Sequence, residues 1–531
     1  MSALTGTRGL VRLILRRDRF LLPIWIIYLG MVPSVFASAT AELYPAVADR
    51  QEYAEISGNN PAYIALFGPL YSESIGGIIT QRLGLIPLVV GLISMLTVIR
   101  HTRTDEAAGR RELLGSTAVS RHAPLAAALI VVAGANLLLA LVMIGGLSGQ
   151  DLPTAGTVAL ALQFAAGGCL FAAVGALAAQ FSTSAGGARA IGFGALGAAL
   201  LLRIAGDSGG VGWLSWLSPI GWVHRLRPFA GERWWVLLII VAAFAAIVAA
   251  SVALSARRDV GAGALAPRPG PAEASAGLRS PLGLAWRLHR APLLGWTAGF
   301  VVIGAVLGGV AEGVSDMMRD NESLSDVFTR MGGAVGIRDA FLSSMMGLFG
   351  LIAAAYAIQA ALRMRAEENE LRADPVLGTA VGRLQWAGGH LLFSLLGPAV
   401  VLTAAGLAAG LTHGLNTGDV GRELPRVLGG SLVQLPAVWV LAGLTIALFG
   451  LLPRFTMASW GALALFVLLG QIGSAMQLSQ AALDVSPFTH IPKLPGGEMS
   501  VQPLVWLGVI AALLVVAGTL RLRTRDIKPA A

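Results

Sequence analysis

Apolar runs of membrane-spanning length alternate along the chain with short polar or charged segments. A helix needs about 20 largely apolar residues to cross a bilayer. Runs of that order lie near 20–40, 78–100, 123–147, 155–181, 188–206 and 235–256. A second set lies near 292–311, 341–362, 387–411, 427–452, 457–478 and 503–522. The pattern predicts an all-α polytopic membrane protein with twelve transmembrane helices. Gly304-xxx-Gly308, Gly309-xxx-Gly313 and Gly406-xxx-Gly410 fall in or at the ends of these runs. Such spacing lets helix backbones approach closely in lipid.

Two charged islands interrupt the apolar pattern, each between the second and third run of its half. Arg103–Arg121 reads RTDEAAGRRELLGSTAVSR and Arg365–Arg383 reads RAEENELRADPVLGTAVGR. They align without a gap: Arg103 with Arg365, Asp105 with Glu367, Glu106 with Glu368, Arg110 with Arg372 and Glu112 with Asp374. In each an acid precedes an arginine by four, Glu106 to Arg110 and Glu368 to Arg372, an order that supports a short helix. The repeat extends further. Leu217-Ser-Pro-Ile220 is echoed by Val485-Ser-Pro-Phe488, Arg258-Asp259-Val260 by Arg525-Asp526-Ile527, and Trp25 by Trp296. Offsets of about 262 to 272 are what a tandem duplication leaves. The chain divides into a first six-helix half (1–257), a Pro/Gly/Ala-rich linker (258–281) and a second six-helix half (282–531). An even number of spans per half makes this a parallel repeat.

Composition fits that picture. Only 13% of the 531 residues are charged, against roughly 25% in soluble domains, and mean hydropathy is +0.73. The net charge of +9 comes mainly from arginine. The arginines cluster at the N-terminus, at 100–121, 257–290 and 363–383, and in the C-terminal tail. The positive-inside rule puts these segments and both termini in the cytoplasm of a bacterial plasma membrane, and the clustering argues against nucleic acid as a partner. Residues 207–234 break the trend with Arg225, Arg227 and Arg233. Arg8, Arg12, Arg16 and Arg19 share one helical stripe opposite Leu10, Leu13 and Ile14, which predicts an interfacial helix lying on membrane lipid.

Candidate chemistry is sparse. A nucleotide-binding P-loop needs a lysine on the phosphates. The only lysines, Lys493 in THIPKLP and Lys528 in DIKPA, belong to no such loop. The chain is therefore not expected to be an enzyme, and ATP would have to be supplied by a second polypeptide. Cys169 is the single cysteine, and the histidines show no metal-ligand spacing. Polar residues inside the spans mark candidate pathways. Gln163, Arg203, Gln359, Gln434 and Gln471 are assigned to a substrate pathway, and Arg82 and Asn136 are further candidates. No Asp or Glu lies deep in a predicted span and none is paired with a histidine, which argues against a proton relay.

DEAAGRRELLGSTAVSR between the second and third spans, SPIGWVHRLRPFAGERWW after the fifth and RRDVGAGAL after the sixth resemble ABC-2 type (type V) exporter permeases. The whole chain is similar to the fused, double-length permeases of actinobacteria identified as tetronasin-type polyketide antibiotic exporters. The resemblance implies a separate ABC ATPase subunit that carries ATP and Mg, leaving this chain without a cofactor of its own. It implies two ATPase copies per chain and export of hydrophobic, polyketide-like compounds. It also implies a coupling helix in each island, carrying Arg103, Asp105, Glu106, Arg110 and Glu112, and Arg365, Glu367, Glu368, Arg372 and Asp374. The second island departs from the pattern where Pro375 replaces Leu113. An ion-gradient-driven multidrug or lipid transporter remains the rival reading.

Overall fold

The computed structural model describes residues 4–259, 261–265, 272–273, 275–319, 337–472 and 479–526. The chain forms two compact units, Met1–Gly270 and Pro271–Ala531. Among the described residues, eleven helices are long and apolar enough to cross a membrane.

In the first unit an amphipathic α1 (Thr7–Arg17) precedes α2 (Leu21–Leu43), followed by a helical cap, α3 (Val47–Asn59) and α4 (Pro61–Phe67). Then come α5 (Ile75–Arg82), α6 (Ile86–Ile99), two island helices α7 (Asp105–Ala107) and α8 (Arg110–Gly115), and α9 (Ala123–Leu147). The unit closes with α10 (Thr154–Phe181), α11 (Ala185–Ser208), the short α12 (Leu214–Leu217) and α13 (Pro219–His224), and α14 (Trp235–Arg257). The continuously buried α10 sits at its centre, packed on α6, α9, α11 and α14.

The second predicted run, 78–100, is broken. Helix stops at Arg82 and restarts at Ile86. Pro87 sits in the first turn of α6, where its missing N–H costs nothing. A side chain at Gly84 would collide with the Phe67 carbonyl, so the end of α4 seats directly on this gap. Gln81 stitches it, donating to the Gly68 carbonyl at 3.0 Å and accepting from the Tyr53 hydroxyl at 3.0 Å.

Arg203 explains how that cap is held. It is fully buried on α11, and its guanidinium donates to the carbonyls of Ile64 (3.0 Å), Ala65 (2.5 Å) and Leu66 (3.1 Å). Cation and carbonyls thus satisfy each other at a helix C-terminus. Two of the arginines of 207–234 are likewise occupied within the fold: Arg225 lies 4.7 Å from the Trp216 ring and Arg227 4.4 Å from the Tyr71 ring.

The second unit contains α15 (Pro281–Arg319), a helix Ile337–Asn369 (α16), the short Ala373–Leu377 (α17) and Arg383–Thr417 (α18). Val420–Leu432 (α19), Leu435–Leu451 (α20), Ala458–Ile472 (α21), Gln480–Leu483 (α22) and Val501–Thr524 (α23) follow. The run predicted at 427–452 is split at Val433–Gln434, just before Pro436. The run predicted at 457–478 begins as the 15-residue α21, and residues 473–478 lie outside the described residues. Gly304 faces the Ala405 carbonyl, where an added Cβ would stand 2.6 Å away, and Gly410 faces Leu424 at 2.9 Å. These glycines bring α15 and α19 against α18, which is helix packing and nothing more elaborate.

Arg203→Met should strand three carbonyls at the end of α4. A loss of about 3 kcal/mol is expected, read as a lower Tm of the purified chain in detergent. An unchanged Tm would show that α4 is held by other contacts.

Candidate coupling site

Each island begins as an extension of its second span. In the first unit α6 runs on through a π-helical turn, Arg100–Thr104, into α7. In the second, α16 carries Glu367 and Glu368 in its last turn. Both helices then stop at a residue in the left-handed region, Gly109 (φ 70°) and Leu371 (φ 56°), which are equivalent in the repeat. The Leu371 N–H bonds to the Glu368 carbonyl (3.1 Å) and the Arg372 N–H to the Glu367 carbonyl (2.9 Å). That is a Schellman cap.

The cap corrects the expected pairing. Because the chain reverses at Gly109 and Leu371, Arg110 does not reach Glu106 and Arg372 does not reach Glu368. Arg110 instead pairs with Asp105 at 2.7 Å, and Arg372 forks onto Glu367 with two bonds of 2.9 Å. The Glu367 carboxylate bonded to Arg372 holds that guanidinium above its ordinary range. Asp105 also takes Arg17 of α1 at 2.7 Å.

Glu106 and Glu368 turn inward. Glu106, with its side chain 1% exposed, is gripped by Arg258 through two bonds of 2.9 Å, just past the end of α14. Glu368 is gripped by Arg525 at 3.1 and 2.7 Å, just past α23. The far end of each island closes the clasp: Arg121 donates to the carbonyl of Arg258, and Arg383 to the carbonyl of Arg525 at 2.7 Å. In both units, then, the arginine after the last span gives its side chain to the start of an island and its carbonyl to the end of it. Both arginines also touch the fourth span of their unit. Arg258 Nε bonds to Gln180 Oε1 at 2.8 Å, and Arg525 lies 4.9 Å from the Phe449 ring.

The predicted coupling residues therefore sort into two kinds. Arg103 is buried and donates to the carbonyls of Gly261 (2.9 Å) and Ala262 (3.0 Å), while its counterpart Arg365 donates to Thr456 Oγ1 at 2.7 Å. Glu106 and Glu368 are sealed, and Asp105 and Glu367 are committed to internal pairs. Arg110, Glu112, Arg372 and Asp374 remain exposed on the outer face.

The predicted pathway residues do not gather in one place. Arg203 is the cap clamp described above. Gln163 is buried on α10, Gln359 accepts from the Trp296 indole at 2.7 Å, and Gln434 occupies the α19–α20 break. The side chain of Gln471 lies outside the described residues. Asn136 donates to Ser94 Oγ at 3.0 Å, and Arg82 to Thr40 Oγ1 at 3.4 Å. The expectation that no acid pairs with a histidine is overturned. Asp18 lies 2.6 Å from His101, and Glu423 3.7 Å from His413. Both pairs sit at or beyond span ends, where hydropathy windows do not look.

A family model described as "Multidrug efflux system permease Rv1217c, C-terminal domain" matches residues 8–255 and 278–523. The multidrug efflux system permease protein Rv1217c of Mycobacterium tuberculosis (strain ATCC 25618 / H37Rv) is 44% identical over 528 residues, which cover 99% of this chain and 96% of that protein.

Removing a buried acid strands its cations. Glu106→Ala leaves Arg103, Arg111 and Arg258 facing one another and should cost about 3–5 kcal/mol. Glu368→Ala strands only Arg525, partly exposed and resting on Phe449, and should cost less. Exchanging the charges, Glu368→Arg with Arg525→Glu, should recover part of that loss in Tm. No recovery would mean that the pair's geometry, rather than its charge, is what matters.

Proposed function

The chain belongs to the family of multidrug efflux permeases related to Rv1217c, and on that premise we propose that it is the membrane subunit of an ATP-driven exporter of the ABC-2 type. Both termini and both islands face the cytoplasm. A separate ATPase subunit, two copies per chain, carries ATP and Mg and docks on the outer face of each island. The cargo is a hydrophobic drug or polyketide-like compound of the tetronasin type, and the polar side chains of Gln163, Gln359, Gln434 and Gln471 are the candidates for its path. The observation that carries this reading is the clasp built twice.

A push on Arg110 and Glu112, or on Arg372 and Asp374, reaches the second span across the cap, through Arg110–Asp105 or Arg372–Glu367. It reaches the last span through Glu106–Arg258 or Glu368–Arg525. A partner can shift the packing of the spans only by binding two arrangements with different affinity. A stiff element tied to two spans at once is the part on which such a difference can act. Asp18–His101 and Glu423–His413 favour a second reading, transport driven by a proton gradient. Under that reading an uncoupler abolishes export while the ATPase is dispensable.

Two measurements test the first reading. Glu112→Arg with Asp374→Arg sets like charges against the partner, a penalty of several kcal/mol. Export should fall at least tenfold and the ATPase should no longer co-purify, with the permease still inserted. The neutral pair Glu112→Gln with Asp374→Asn should change little, because exposed pairs contribute about 0.2–1 kcal/mol. Full export by the reversed variant would place the docking contact elsewhere. The purified chain alone should also fail to hydrolyse ATP, and turnover that survives removal of every contaminating ATPase would refute the division of labour.

A further inference from the structure

We propose that the first unit holds one anionic phospholipid, its phosphate on the arginines of α1 and an acyl chain in the groove beside it. The groove runs between α1, α2 and α9 and encloses about 470 Å³. Its walls are apolar, with Val11, Leu15, Ile26, Ile130 and Leu138 among them, and Arg19 stands at its rim. Along α9 it extends from Ile130 to Val142, about 18 Å of helix. One leaflet of hydrocarbon is about 15 Å deep. The groove therefore has the depth of a single acyl chain, entered from the end where α1 lies.

Four of the arginines at that end make no ion pair among the described residues. On the helical wheel Thr7, Leu10 and Ile14 form the buried face of α1. Val11 and Leu15 come next, and Arg8, Arg12, Arg16 and Arg19 follow on the exposed side. No carboxylate lies in ion-pair range of these four arginines among the described residues, whereas Arg17 on the other flank is bonded to Asp105. Four guanidiniums without a carboxylate partner, Arg19 among them resting 4.7 Å from the Phe20 ring, border an apolar slot and complement a phosphate ester carried on a hydrocarbon tail. The chain itself contributes little preference, because lipid tails are as apolar as the groove. Selectivity must come from the headgroup, so the occupant is an anionic phospholipid rather than a zwitterionic one.

The site exists only where the helix is bent. Asp18, held by His101 at 2.6 Å and by Arg100 at 3.0 Å, fixes the elbow that lays α1 beside α2 and α9. In the second unit α15 is one unbroken helix through the equivalent stretch.

The test is native mass spectrometry of the purified full chain with dioleoyl phosphatidylglycerol or dioleoyl phosphatidylcholine. One phosphatidylglycerol should be retained under conditions that strip phosphatidylcholine. Arg12→Gln with Arg16→Gln and Arg19→Gln should weaken retention about a hundredfold. Gly134 lines the groove and has open space at its Cβ position, so Gly134→Leu should fill the slot and release the lipid with every charge intact. If that variant loses its Tm, Ile130→Trp at an exposed lining position blocks the same slot. Equal retention of phosphatidylcholine would overturn the headgroup. Loss in the arginine variant with full retention in both groove variants would reduce the effect to a diffuse basic surface. Retention unchanged in the arginine variant would leave only apolar contact.

Discussion

A carboxylate sealed at the end of a membrane bundle is the constraint around which each unit is arranged. Desolvating Glu106 or Glu368 costs several kcal/mol unless cations meet it with good geometry. Arg258 and Arg525 do so with two hydrogen bonds each. The consequence is positional. Neither island can move without its last span unless a buried charge is exposed, and neither last span can leave its island. In the first unit Arg103 and Arg111 add a second layer, at 3.1 and 3.2 Å from the same carboxylate. The linker folds back so that Gly261 N–H also reaches Glu106, at 2.7 Å. In the second unit the pair is more exposed and is backed by an aromatic ring instead. The same geometry is thus held with two different strengths.

The two units differ at the start of the first span of each. Aligning Trp25 with Trp296 puts His289 where the first unit has Asp18. Asp18 pairs with Arg100 and His101, and the helix breaks into α1 and α2. His289 meets His390 at 2.9 Å and stacks on Phe393 at 4.8 Å, and the helix continues through Pro292. An ionic elbow in one half is an aromatic straight run in the other. The position that carries the ionic contact in one unit carries the aromatic contact in the other.

Much of this was legible in the residues. Hydropathy located eleven of the twelve predicted spans among the described residues, because a bilayer imposes length and composition on each one. It misplaced the breaks at 83–85 and 433–434, since a short interruption keeps the window apolar; Pro87 and Pro436 were the signals that could have found them. Both ends of the clasp were visible as repeats, the islands and the Arg258/Arg525 echo, yet nothing local joined them. The partners lie more than 150 residues apart, and only tertiary packing brings them together. The Glu106–Arg110 pairing failed for a local reason. An i,i+4 rule assumes that the helix continues, and a left-handed residue ends it. Gly109 advertises such an end; Leu371 does not, because an L side chain there is disfavoured by roughly 1–2 kcal/mol. Arg203 reads as a pathway residue because its partners are backbone carbonyls, which carry no sequence signal.

A leucine in the left-handed region, Leu371, ends the island helix of the second unit. Helix ends fray, and a frayed end cannot transmit a displacement. Leu371 keeps its left-handed conformation although it is half exposed and gains little by burial. Something else must hold it, and the contacts on either side identify what does. Glu368 is pinned to Arg525 and Glu367 is forked by Arg372, so the backbone between them has no freedom to unwind. Strain persists where surrounding structure over-determines it. Here that structure is the clasp and the arginine fork, acting on one turn from opposite sides. The first unit reaches the same reversal with an unstrained glycine, and there Arg110 makes a single bond to Asp105 where Arg372 makes two to Glu367. Rigidity of the island end is therefore kept in both halves by different means. This is the outcome expected if stiffness at that point, rather than any particular residue, is what the duplicated architecture must preserve.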